Sequence, residues 1–410
     1  MIDKIILMNQ NTPVAKITGH IIIKENSNIP QMDISNIEFL NKTLCPPSIF
    51  ANDMEIRKKQ FLHWFNKRLI SDKRTDIPQK PIRFEGSPCF FSLSDQYWFK
   101  TNDNQNWNEL NLINNKFDKT LGDIFFSKNL LFMSSTLHAS YNTPDITTNG
   151  VLKKRWIKEN GEFYLVKHMS KEYGQEPINE ILASHLLRHL KIIDFVEYKL
   201  CIEGYDICSK CKTFITNDTE FVPAAYIYAA TPISEKEKEI KAKDKNDNSY
   251  IYMHLMSAVD LYHIPHAKEF IDNMIIADRY MLNYDRHLGN FGFLRNVKTG
   301  EYLGPAPLFD FGNAFFSDEK AEVSKVLSCR EKYLFDNFKI KPISQDIRNV
   351  FKNEIMSCFL LNDDEKRKII TKFENSNRTI AQEYHKMNDI YEEKTDKKGH
   401  VIQNAAPTDF

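Results

Sequence analysis

Apolar positions run in short, often alternating blocks through the first half of the chain and at helical spacing through most of the second, which predicts a mixed α+β protein. Ile5-Ile6-Leu7-Met8 and Ala15-Lys16-Ile17-Thr18-Gly19, separated by a short polar interruption, predict a β-hairpin. Over residues 53 to 70, Ile56, Leu62, Phe65 and Leu69 recur near helical spacing. Arg57, Lys58, Lys59, Lys67 and Arg68 among them read as a solvated face. Residues 92 to 126, with Ser94-Asp95-Gln96-Tyr97-Trp98-Phe99 and an Asn-dense stretch around Asn111, read as a small packed module. Strand-like runs at 163 to 167 and 221 to 224 flank a helix expected from 177 to 190, where Ile178, Ile181, Leu182, Leu186 and Leu190 form one apolar face.

Residues 235 to 249 are almost entirely polar or charged, so they read as an exposed loop unable to bury enough apolar surface. Beyond them the pattern is helical, with Phe270, Met274, Ala277 and Met281 forming a stripe before a Gly-containing interruption from about 283 to 313. The polar stretch from 391 to 410 lacks a helical period and reads as a frayed tail. No internal repeat is visible. The expected organisation is therefore an N-terminal region at 1 to 145, an α+β segment at 146 to 232, a largely helical segment at 233 to 390 and a tail at 391 to 410.

Composition narrows the function classes. The chain has 410 residues, 42% of them hydrophobic, which is enough for two or three domains with large cores. Lys and Arg number 55 and so do Asp and Glu, so no chain-wide field draws it to nucleic acid or an anionic membrane. Nucleic acid is accordingly not expected as a direct partner. No apolar run reaches the ~18 residues of a membrane span, and Met1-Ile2-Asp3-Lys4 lacks the purely basic start of a secretory signal. Seven cysteines scattered through such a chain fit free thiols in a reducing compartment, with the cytoplasm as the expected location.

Candidate chemistry is concentrated in the interruption. Tyr284-Asp285-Arg286-His287-Leu288-Gly289-Asn290 is followed, twenty residues after Asn290, by Asp310-Phe311-Gly312. Phosphoryl transfer needs a carboxylate to orient and deprotonate an attacking hydroxyl, and oxygen ligands to hold Mg²⁺ against the phosphates. Asp285 fits the first role, and Asn290 with Asp310 fits the second. The spacing D-x-x-x-x-N followed by D-F-G is that of a kinase catalytic loop and its metal-binding turn. Asp and Asn are also common turn residues, so either motif alone would be weak. His287 is a poor ligand for hard Mg²⁺ and reads as a hydrogen-bonding brace of the loop.

Upstream, Lys167 ends a strand-like run and Glu180 follows on the amphipathic helix, the order expected of a lysine that contacts ATP phosphates and its carboxylate partner. Thr147-Thr148-Asn149-Gly150 with Lys153 and Lys154 forms a turn before these strands; Thr148, Asn149, Gly150 and Lys154 are candidates to cover nucleotide phosphates. No G-x-x-x-x-G-K-[ST] sequence occurs, which excludes an ordinary P-loop. Cys208-Ser209-Lys210-Cys211 with nearby Cys201 lacks the second ligand pair a structural zinc site requires.

The segment from residue 283 to 316, with the Gly300-Glu301 hairpin and Pro305-Ala306-Pro307 inside it, resembles the HipA-like serine/threonine kinase family, of the HipA-toxin and Helicobacter cell-translocating kinase type. A fainter likeness covers 147 to 190. The resemblance implies a bilobal protein-kinase-like fold with an α+β N-lobe, a mainly helical C-lobe and an N-terminal accessory region. It implies ATP and Mg²⁺ as cofactors, bound between the lobes, with Asp285 as catalytic base, Asn290 and Asp310 as metal ligands, Lys167 as the phosphate lysine and Glu180 as its partner. It also implies a protein substrate with a Ser or Thr hydroxyl, autophosphorylation, and a toxin or effector role with an antitoxin or host protein as partner. Where the toxins' phosphate-binding loop carries an autophosphorylated serine, the matching stretch here departs from the pattern and carries Thr147 and Thr148.

Two other readings stand beside it. The same motifs mark phosphoinositide kinases, to which the family is related; phosphorylated inositol would call for basic residues just after Gly312, whereas Asp318, Glu319 and Glu322 there face a single Lys320. A catalytically silent kinase-fold binding module in a toxin–antitoxin complex is the other, and the retention of Asp285, Asn290, Asp310 and Lys167 argues against it.

Overall fold

The computed structural model describes residues 4–22, 29–71, 73–74, 78, 80–127, 136–170, 174–204, 206–243, 249–315 and 328–396. The chain begins β1 (Lys4–Asn9), β2 (Thr12–Ile22), β3 (Gln31–Phe39), α1 (Met54–Arg68), β4 (Ile82–Glu85) and β5 (Tyr97–Lys100). It continues through α2 (Trp107–Leu110), α3 (Thr120–Phe126), β6 (Leu137–Ser140), β7 (Lys154–Glu159), β8 (Glu162–His168) and α4 (Glu176–Leu190). Then come β9 (Tyr198–Glu203), β10 (Asp206–Lys212), β11 (Thr219–Pro223), α5 (Ala224–Ala230), α6 (Glu235–Lys243), α7 (Ser249–Leu261) and α8 (Ala267–Met281). The last elements are β12 (Gly292–Asn296), β13 (Tyr302–Pro305), α9 (Ser328–Asp336), α10 (Gln345–Ser357) and α11 (Asp363–Asp396).

Two compact units result. The first comprises Met1–Pro177, Val196–Ala230 and Gly292–Ala306; the second comprises Ile178–Phe195, Thr231–Phe291 and Pro307–Phe410. This division cuts across the expected segments. Most of α4, expected within 146 to 232, falls in the second unit, and β12 and β13, expected within 233 to 390, fall in the first.

Among the described residues every strand lies in the first unit. Its largest sheets run β3-β2-β1-β5 and β7-β8-β10-β9, with a three-stranded β11-β12-β13 sheet and a parallel β4-β6 pair. The expected hairpin is present, with Asn9 opposite Thr12, and Pro13 sits where the register shifts, the place a residue without an N–H is tolerated. Asp53 caps α1 by accepting from Ile56 N at 2.9 Å, and Phe61, Trp64 and Phe65 pack with Phe90, Tyr97 and Phe99 in edge-on aromatic pairs. The expected module at 92 to 126 is not self-contained. Tyr97–Lys100 is the edge strand of the first sheet, paired with β1.

A buried polar cluster joins that sheet to the third. Arg295 Nε on β12 donates to Glu220 Oε1 on β11 at 2.6 Å, and its Nη2 donates to Tyr97 Oη and, at 3.1 Å, to Cys45 O. Tyr97 Oη in turn donates to Leu44 O at 2.9 Å. Burial holds the Glu220 carboxyl above its usual range, with the Arg295 charge acting against it. Gly292 opens β12 because a Cβ there would collide with Val222 O and Pro223 Cα of β11.

The second unit is built from helices. Residues 235–243, expected as an exposed loop, form α6. The reason is a capping box: Ser234 N donates to Glu237 Oε2 at 2.6 Å and Glu237 N donates to Ser234 Oγ at 3.3 Å. Glu237 is itself buried against α7, where Ser257 Oγ donates to it and His254 Nδ1 lies 3.2 Å away. At the other end α11 continues to Asp396, so residues 391–396 are helical where a frayed tail was expected. Ile369, Phe373 and Ile380 anchor that helix in the core. The expectations for residues 1–3, 244–248, 318–322 and 397–410 lie outside the described residues.

Candidate active site

In the second unit α8 delivers the chain into the loop at 282–291. Its apolar stripe is buried as expected, with Phe270, Met274, Ala277 and Met281 all inside. The helix stops at Leu282, whose left-handed φ of 56° turns the chain out while its N–H returns to Asp278 O. Asp278, buried in the last turn, organises the start of that loop. It accepts Asn283 Nδ2 at 2.8 Å and both arms of the Arg286 guanidinium, Nε at 2.9 Å and Nη2 at 3.0 Å.

Arg286 is 1% exposed, and its remaining nitrogen Nη1 donates to Asn290 O at 2.7 Å and Phe309 O at 2.6 Å. One guanidinium thus ties the end of α8, the catalytic-loop candidate and the residue preceding Asp310. Because buried carbonyls must be partnered, this fork fixes both loops against one another. Inside the first loop Asn290 Nδ2 donates to Asp285 O at 3.0 Å, Asn290 N to His287 O at 2.9 Å and Gly289 N to His287 Nδ1 at 3.0 Å. The last bond is the bracing expected of His287. Asn290 is buried, whereas Asp285 is exposed.

The D-F-G turn is held from three sides. Asp310 has a left-handed φ of 65°, a conformation costly to most residues and tolerated best by Asp, Asn and Gly. Phe311 is fully buried beneath it. Asn179 Nδ2 on α4 donates to Gly312 O at 2.8 Å, Phe315 N donates to Met281 O at 2.9 Å, and Asn313 Nδ2 donates to Asp285 Oδ2 at 2.7 Å. Asp285, Asn290 and Asp310 are therefore carried on two loops joined by Arg286 and Asn313. Glu180, buried beside Asn179, is on α4 in the same unit.

Lys167, Thr148, Asn149, Gly150 and Lys154 lie in the first unit. Lys167 is buried on β8, opposite Ser209 of β10 on one side and Lys154 of β7 on the other, with Nζ 5.5 Å from the Tyr198 ring centroid. Gly150 has φ +106°, and a Cβ there would collide with Lys154 Nζ, which donates to Asn149 O at 2.9 Å. The Thr148 hydroxyl is engaged differently from the sequence expectation. It is buried, donates to Asp145 O at 2.7 Å and accepts Arg74 Nη1 at 3.1 Å. Thr147 Oγ1 likewise meets Phe91 O and Pro144 O.

Sequence reasoning missed Arg286, Asp278, Asn179 and Asn313. Arg286 and Asn313 adjoin the motifs, and a signal existed only in that adjacency; Asp278 and Asn179 become visible through the fold alone. Cys201 and Cys208 face each other across β9 and β10 as free thiols, and among the described residues no three His, Cys, Asp or Glu side chains group to hold a metal ion.

No family model matches the chain. Over 180 residues it is 32% identical to the serine/threonine-protein kinase CtkA of Helicobacter pylori, a match covering 41% of this chain and 52% of that protein. The match thus spans about half the length of that relative. Two solved structures are similar: the Helicobacter pylori proinflammatory kinase CtkA and the Shewanella oneidensis toxin–antitoxin protein HipA with HipB and operator DNA. The first is 22% identical with a TM-score of 0.41, covering 58% of this chain and 95% of that one. The second is 13% identical with a TM-score of 0.39, covering 59% and 66%. Over those 180 residues the chain is similar in sequence to a serine/threonine-protein kinase. Among the described residues no helix is long and apolar enough to cross a membrane.

Proposed function

We propose that the chain is an ATP- and Mg²⁺-dependent serine/threonine protein kinase of the HipA-like type, with a bilobal kinase-like organisation. The observation that carries this reading is the joining of the Asp285–Asn290 loop to the Asp310 turn through Arg286 and Asn313, together with homology to a serine/threonine kinase. The donor set fits the metal: Asn290 and Asp310 offer the hard oxygens that Mg²⁺ selects. Those two residues would hold the ion, which when bound neutralises charge developing on the transferred phosphoryl group.

The remaining steps belong to the chain's own residues. Asp285 accepts the proton of the incoming Ser or Thr hydroxyl as its oxygen attacks the γ-phosphorus and ADP leaves. Asn290, by donating to Asp285 O, keeps the loop in the turn that presents this carboxylate. Lys167 and Lys154 contact the ATP phosphates, with Gly150 giving the backbone room to approach.

The test is transfer of radiolabel from γ-labelled ATP to casein and to the chain itself, with wild type beside Asp285→Ala and Asp310→Ala. Label in the wild type and a loss of at least about 10³-fold in both variants is expected, since each removes a group acting in the transition state. Equal labelling in all three would refute the assignment. Label entering phosphoinositide vesicles but not protein would replace the protein substrate by a lipid.

A further inference from the structure

We infer that Asn313 is a positioning residue for Asp285, a role resting on the kinase reading above and adding to it a residue outside both motifs. Asp285 is exposed and its side chain projects from a loop, so nothing in its own backbone selects the rotamer that would face a substrate hydroxyl. Asn313 Nδ2 supplies the selection by donating to Asp285 Oδ2 at 2.7 Å, leaving Oδ1 as the oxygen that receives the proton.

The donor is rigid because the backbone on both sides of it is pinned. Gly312 O accepts from Asn179, Ala314 N donates to Phe311 O at 2.9 Å, and Phe315 N donates to Met281 O at 2.9 Å. Ala314 and Phe315 are buried, with Phe315 packed on Phe351 at 5.4 Å between ring centroids. An amide on so fixed a turn, donating to a carboxylate on a mobile rotor, is the arrangement that preorganises a reacting group without touching substrate. It also couples the two motifs, because displacement of the D-F-G turn carries the amide away from Asp285.

Asn313→Asp and Asn313→Ala separate this role from loop packing. Asp keeps the shape but replaces the donor by a second carboxylate against Asp285, whereas Ala removes the donor without adding charge. ADP release is measured with and without casein, alongside nucleotide binding by calorimetry and thermal unfolding. Both variants are expected to lower kcat about 10- to 100-fold, the cost of misplacing one reacting group, with KM for ATP, nucleotide affinity and melting unchanged. Wild-type kcat in Asn313→Asp, or a kcat loss accompanied by equal loss of nucleotide affinity or fold, overturns the inference. The Asp285→Ala control tells the two levels apart. If it is inactive and Asn313→Asp is not, only the positioning role falls; if wild type itself releases no ADP, the kinase reading falls and this inference with it.

Discussion

Removing the Arg286 guanidinium is the sharpest perturbation of the site that can be worked through in numbers. Arg286→Ala leaves Asp278 as a buried carboxylate with Asn283 Nδ2 at 2.8 Å, and removes one hydrogen bond each from Asn290 O and Phe309 O. Breaking a buried ion pair from one side costs about 3–5 kcal/mol, because the surviving charge stays desolvated. The bonds lost at the two carbonyls add about 0.5–1.5 kcal/mol each. Against a typical total of 5–15 kcal/mol, the variant should be near the edge of stability. Arg286→Lys should lose less, since an ammonium keeps the charge while failing to reach both carboxylate oxygens and both carbonyls together. Urea unfolding followed by circular dichroism measures these losses, with Asp278→Ala and the double variant completing a cycle. A coupling energy above about 1.5 kcal/mol is expected for side chains in one network. A loss below 1 kcal/mol in Arg286→Ala, or additive single variants, would refute the clamp.

Other perturbations test the first unit. Asp145 is fully buried, and burial pushes its carboxyl up to about 7, against the bond from Trp156 N and the nearby Arg155 and Arg74 charges. The native chain then holds a proton that the unfolded chain has released between about pH 4 and 7, so stability falls as pH rises through that window and levels off above it. Asp145→Asn should therefore gain up to about 4 kcal/mol at pH 8 and almost nothing at pH 4, read from urea midpoints; a loss growing with pH would mean an ionised, paired carboxylate. Gly292→Ala should cost about 1–3 kcal/mol and speed amide exchange along β11 and β12, because the new methyl group meets Val222 O; unchanged exchange would contradict that close approach. Gly150→Ala forces a left-handed alanine against Lys154 Nζ and should raise KM for ATP about tenfold at unchanged kcat, whereas an unaltered KM would remove this turn from the phosphate site.

Local spacing controls the part of the structure that was legible beforehand. The β1–β2 hairpin, α1, α4 and α8 follow from periodicity and turn residues, and the spacing of Asp285, Asn290 and Asp310 marked the segment whose two loops the structure joins. The hidden part depends on partners far along the chain. Tyr97–Lys100 is a strand because β1 is there to pair with it, and residues 235–243 are helical because Glu237 finds His254 and Ser257 on α7. The S-x-x-E of Ser234 and Glu237 was a readable capping signal, outweighed by the charge density of the residues after it. Arg286 and Asn313 belong to the same class: polar residues whose meaning is set by which carbonyl or carboxylate the fold brings to them.

The threefold interleaving of the two units bears on how the protein is made. Synthesis runs from the N-terminus, and the first unit cannot be completed until Ala306 has left the ribosome, because β12 and β13 belong to it. At ~5–20 residues per second, β11 waits roughly 4–15 s for its neighbour, with the Glu220 carboxylate lacking Arg295 throughout. A nascent chain stalled before β12 would present an open β11 edge beside an uncompensated acid, which makes this interval, rather than the finished protein, the stage most exposed to mispairing and to capture by chaperones.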